Sequence, residues 1–165
     1  MTDSMLVAMR FNCWATQALL EHCAALDEAQ LIAGAPAVFG SPLATLEHLL
    51  RAEAFYVSMI RGAAPTWRGA EGEPVTIEVM QRWAGELAVG WEEVLSRPQD
   101  GDRLLIRTRR DGSVTNMPAG VLLAQALHHA NVHREQVCSI LTAQGLQPPD
   151  LSAWAYGYAT GLMQR

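Results

Sequence analysis

Residues 118–145, PAGVLLAQALHHANVHREQVCSILTAQG, decide the fold. Pro118 brings a backbone angle suited to the first turn of a helix, and Gly145, followed by Pro148 and Pro149, supplies the stop. Between them apolar residues recur at helical spacing. At 100° per residue Leu122, Ala126, His129, His133, Val137 and Ile140 share one face, while His128 falls in the arc of Asn131, Glu135 and Ser139. Two imidazoles one turn apart therefore face inward and a third faces solvent.

Upstream, residues 103–117 (RLLIRTRRDGSVTNM) place β-branched residues on either side of Asp111-Gly112, a hairpin signal. A two-stranded hairpin is marginal alone, so it is expected to pack on the helices or on a partner. Before it, Thr76 caps a helix whose Met80, Trp83, Leu87, Trp91 and Val94 form one stripe, ended by Pro98. Residues 62–75 hold three Gly and two Pro and read as a loop, with Trp67 as a candidate for packing, a pocket wall or a dimer contact. Ser41-Pro42 opens a further helix that runs to Gly62. The first helix spans about 3–25, with Thr2 or Asp3 as N-cap and Leu6, Met9, Cys13, Leu20 and Ala24 in register. Gly34, Pro36 and Gly40 mark the loop after it. Trp154, Tyr156 and Tyr158 in the tail predict a short helix that packs back.

Four helices of about 20 residues with two substantial connections predict a single all-α domain over 1–165: a four-helix bundle with long crossover connections and a small β-hairpin or irregular insert before the last long helix. The chain has 165 residues, half of them apolar and 18% charged, which suffices for a core and excludes intrinsic disorder. No apolar run reaches the roughly 18–20 residues of a membrane span. The N-terminal MTDSMLVAMRF carries an acidic residue where a secretory signal carries Lys or Arg, so the expected location is cytoplasmic. Net charge is −5 and no Lys occurs; this predicts no nucleic-acid partner, and Arg107, Arg109 and Arg110 beside Asp111 read as a solvated turn. Cys13, Cys23 and Cys138 show no short-range pairing, in line with a reducing compartment.

The histidines carry the functional argument. In the second long helix Glu47, Arg51, Ser58 and Arg61 form a polar arc, and His48 lies off it, in line with Ala52, Phe55 and Met59. Added to His129 and His133, it offers a three-imidazole face suited to a metal with an open position. Spacing alone leaves open whether His48 sits at the depth of the pair. His129-Ala130-Asn131-Val132-His133 lacks a Glu after the first histidine, so it is not the zincin motif. Cys138 turns to the opposite side of its helix. His22, near a helix end, suits the helix dipole.

The runs FNCWATQALLEHCAALDEAQL, FGSPLATLEHLLRAEAFYVSMIRG and VLLAQALHHANVHREQVCSILTAQGLQPPD resemble the DinB family, through Asn-x-Trp-Ala, Leu-x-His-Leu and His-x₃-His-Arg-x-Gln. The resemblance implies a four-helix bundle, a homodimer, and a divalent metal, zinc or nickel with iron as a further option, on His48, His129 and His133. It differs at Glu135, where members often carry Gly; Glu135 points to the solvent arc. The family spans thiol-dependent S-transferases, a thiol-dependent isomerase and members of no known activity. An ion on three neutral imidazoles acidifies a bound thiol or water. The expected function is therefore a metal-dependent S-transferase joining a low-molecular-weight thiol to small electrophiles in detoxification or stress response. A metal-dependent hydrolase, a thiol-dependent isomerase and a non-enzymatic dimer with a structural or vestigial metal are the alternatives. Gln136 and Asn12 are candidates to orient the ligands. Glu47 falls in the polar arc and Glu53 lies further round.

Overall fold

The computed structural model describes residues 4–35, 39–68 and 74–164. They form α1 (Ser4–Cys23), α2 (Glu28–Ile32), α3 (Pro42–Arg61), α4 (Ile77–Leu95), β1 (Leu104–Thr108), β2 (Val114–Pro118), α5 (Ala119–Ala143) and α6 (Ala153–Ala159). The protein is thus mainly helical, with one small antiparallel sheet ahead of the last long helix. The expected cap at Thr2 or Asp3, Pro36 of the first loop, and 69–73 of the crossing stretch lie outside the described residues. No described helix is long and apolar enough to cross a membrane.

Local chemistry sets the helix ends. Ser41 Oγ accepts from Ala44 N at 3.2 Å with Pro42 in the first turn, and Gly62 ends α3 at φ 79°. Thr76 Oγ1 accepts from Val79 N at 3.3 Å and starts α4. The short α2 lies outside the expected elements. It is nucleated by a reciprocal cap, in which Gln30 N donates to Asp27 Oδ1 (2.8 Å) and Asp27 N donates to Gln30 Oε1 (3.0 Å). α5 has no side-chain cap. Its first two N–H groups donate instead to the backbone before the hairpin, Ala119 to Arg103 O at 2.9 Å and Gly120 to Gly101 O at 2.8 Å.

In the hairpin Leu104 pairs with Pro118 and Thr108 with Val114. The turn differs from the expected Asp-Gly centre. Gly112 N donates to Arg109 O at 3.0 Å, so Arg110 and Asp111 are central and Gly112 follows them at φ 81°, where a Cβ would be strained. Leu105 is buried and anchors the hairpin on the helices, whereas Leu104, Ile106 and Val114 are exposed.

Packing runs α1 on α4, α4 on α3, α3 on α5 and α5 on α1, which closes a core of Leu, Met and Val side chains. The stripe Met80, Trp83, Leu87, Trp91 and Val94 is wholly buried, as its period demands. Trp67 packs flat on Trp83, with ring centroids 4.2 Å apart and planes 8° from parallel, which is the packing contact among the readings the sequence offers. α6 returns to α1, with Tyr156 against Phe11 and Trp14.

Candidate metal centre

The α3–α5 seam brings the three predicted histidines together. One nitrogen from each of His48, His129 and His133 lies within 4.8 Å of the other two. His129 Nε2 and His48 Nε2 are 3.2 Å apart, and the ring centroids of His48–His133 and His129–His133 are 4.8 and 4.4 Å apart. The depth question left by the sequence is answered: His48 stands level with the pair. His133 is buried and the other two are half-buried, so the cluster lies at the edge of the core with a side open to solvent. His128 is exposed and takes no part.

The neighbours fix how the rings present their nitrogens. His133 Nδ1 is 2.8 Å from Gln136 Oε1, an atom that only accepts; Nδ1 therefore carries the proton and Nε2 keeps its lone pair. Gln136 is thus the orienting group expected of it. Phe39 stacks on His48 at 4.2 Å and meets His133 edge-on at 5.4 Å, while Tyr56 meets His129 edge-on at 5.7 Å. Aromatic walls flank the cluster on two sides.

Burial, reinforced by the positive charges that His133, His48 and His128 would carry, pushes His129 down to about 4. Burial also lowers His133, against the opposing hydrogen bond that it donates to Gln136 Oε1. Both are neutral at pH 7, the state a metal requires. Stability follows from the sign of these shifts. The unfolded chain protonates both groups near the ordinary histidine value, about 6.5, and the fold does not. The contribution of each is complete above pH 6.5 and is lost as pH falls through its lowered value, which for His129 is about 4. Urea midpoints of the metal-free protein should decline across that window, and His129→Gln should flatten the decline.

Asn12 plays another part than expected. Among the described residues it makes no hydrogen bond to a histidine, and it instead links a buried network across four helices. Arg134 Nη1 donates to Asn12 Oδ1 (2.8 Å), Asn12 O (3.2 Å) and Thr16 Oγ1 (3.0 Å). Asn12 Nδ2 and Trp91 Nε1 each donate to Glu53 Oε1 at 2.9 Å. Glu53 is 4% exposed and Arg134 2%, so placing Glu53 further round than Glu47 misses its burial. Burial pushes the Glu53 carboxyl up, opposed by the Trp91 and Asn12 donors and the Arg134 charge. Glu47 remains on the outer arc, where it pairs with Arg51 at 2.7 Å.

The cysteines stand apart from the cluster. Burial raises Cys23 to about 12 and Cys138 to about 11, and carries Cys13 well above its ordinary value. None is a ready thiolate at neutral pH.

Comparison with curated proteins returns no match. The model of the DinB family, by contrast, matches residues 1–164 of the 165, and so takes in the histidine pair of α5, the single histidine of α3 and the Asn12 that α1 contributes to the buried network. On that match, which spans essentially the whole protein, the chain belongs to the DinB family.

Proposed function

We propose that His48, His129 and His133 hold one divalent metal ion and that the protein is a metal-dependent enzyme, a thiol S-transferase acting on small electrophiles. The observation that carries this reading is the convergence of three nitrogens within 4.8 Å from two packed helices. The donor set fits a metal. His129 and His133 are held neutral, Gln136 fixes the tautomer of one, and imidazole suits zinc, nickel, copper or iron. When bound, such an ion lowers the pKa of a coordinated thiol or water.

The chain's own residues do the rest. His129 and His133 stay deprotonated, Gln136 aims His133, and the rings of Phe39 and Tyr56 shield two flanks. The three cysteines stay protonated, so the sulfur comes from an outside thiol. Its S–H proton goes to solvent, an S–C bond forms to the electrophile, and the electrophile's leaving group departs. The four long helices are read as a four-helix bundle, and the assembly as a cytoplasmic homodimer.

The test is conjugation of 1-chloro-2,4-dinitrobenzene, followed as chloride release, by metal-loaded protein with glutathione, bacillithiol or mycothiol. The expected result is a rate above background with at least one thiol. It should vanish on metal removal and in His133→Ala, whose far-UV circular dichroism stays native. No metal-dependent rate with any thiol, or turnover that needs no thiol, would overturn the transferase assignment. A second expectation concerns Gln136. Replacing it by Ala frees the His133 tautomer and should weaken zinc affinity by about 10–100-fold in a chelator competition titration.

A further inference from the structure

The structure separates the arginines that read as one turn. Arg109 and Arg110 stay in the turn, but Arg107 lies on the inner face of β1 with Leu105, and its guanidinium carbon is 4.6 Å from the centre of the Phe55 ring. Arg68, from the connection between α3 and α4, brings a second guanidinium to the same ring at 5.7 Å. Among the described residues no carboxylate lies within ion-pair distance of either. A guanidinium held over a ring by cation–π attraction keeps N–H donors for a further partner, and their fork matches a carboxylate.

Phe55 ties this pair to the histidines. It is seven residues after His48 on α3, two turns along the same face and about 10 Å up the helix axis. Its neighbour Tyr56, with ring centroids 5.6 Å apart, is the residue that meets His129. A positive fork therefore stands on the same helix face as the imidazoles, at the length of a two- or three-residue peptide.

We propose that Arg68 and Arg107 form a carboxylate-binding subsite that makes the preferred thiol a carboxylate-bearing molecule of di- or tripeptide length, its sulfur at the histidines and its carboxylate on the arginines. The proposal rests on the metal-and-thiol reading above. It selects glutathione-like and other acidic thiols over thiols without a carboxylate.

The probe is S-methylglutathione, whose capped sulfur removes the thiolate, compared with its diethyl ester on the metal-free protein at low ionic strength. Kd is read from NMR shifts of the arginine Nε–H groups. The diacid should bind about tenfold or more tighter than the ester, the worth of a charge-assisted contact. That preference should disappear in the Arg68→Met, Arg107→Met double variant and persist in Arg109→Met, which removes a charge from the turn alone. Equal binding of diacid and ester, no binding of the diacid, or an unchanged preference in the double variant would overturn the subsite. Zinc content separates the two claims. Diacid preference without zinc at the histidines keeps the subsite and removes the metal reading; zinc without diacid preference does the reverse.

Discussion

Replacing Arg134 by alanine should cost about 3–5 kcal/mol of folding free energy, the loss typical of breaking a buried ionic network by removing one member. For a chain of this size that corresponds to a fall in Tm of roughly 6–20 °C. The reason is what the truncation leaves behind. Asn12 Oδ1 and Thr16 Oγ1 lose a donor, and the charge that opposes the desolvation of Glu53 disappears. Glu53→Ala should be comparably severe, because it strands the Asn12 amide and the Trp91 indole N–H in the core. Arg61→Ala, which breaks a partly exposed pair with Glu93 at 2.7 Å, should cost about 1 kcal/mol or less. The double change Arg134→Met, Glu53→Gln should recover much of the Arg134→Ala loss, since it removes both charges and retains an acceptor for Asn12 and Trp91. Urea unfolding of the four variants checks all of this. Equal midpoints for Arg134→Ala and Arg61→Ala would show that the network contributes no more than a surface pair.

That network also marks the boundary of what the sequence makes legible. The long helices are readable because their apolar period is strong and their ends carry Ser41-Pro42, Thr76, Gly62 and Gly145. The short α2 is not, because five residues hold less than two turns of pattern and only its Asp27–Gln30 cap announces it. Charge identity conceals Glu53. It groups with Glu47 as a polar residue, yet it lies four residues after Leu49 and four before Val57, both buried. Arg134 likewise lies between Ala130 and Val137, and Asn12 between Met9 and Thr16. Three polar residues at core spacing on three helices are a signal for a buried network, and that signal resides in the spacing itself. The histidine faces are legible for the same reason: their spacing carries the information. Their common depth is not, since depth depends on how α3 and α5 slide on each other. Nor can spacing separate Arg107 from Arg109 and Arg110, because hairpin register decides which side chains turn inward.

Zinc or nickel should stabilise the wild-type protein and leave the His129→Ala, His133→Ala variant unmoved. At a free metal concentration of 100 times Kd, binding to the folded state alone adds about 2.7 kcal/mol, which raises Tm by roughly 5–11 °C. The effect should fade as pH falls towards 4, where protons compete for His129. The double variant keeps His48 and the Arg134 network, so its core should remain folded while two of three donors are gone. Loss of two ligands should exceed the roughly 10–100-fold cost of losing an orienting partner such as Gln136.

The measurement that bears most directly on the central claim is the metal content per chain by mass spectrometry, on untagged protein purified without added metal. The double histidine variant is measured beside it, and both are measured again after exposure to zinc or nickel. The account expects about one equivalent in the wild type, at purification or after loading, and almost none in the variant. Equal metal in the two proteins, or none in the wild type even after loading, would contradict a metal centre at His48, His129 and His133.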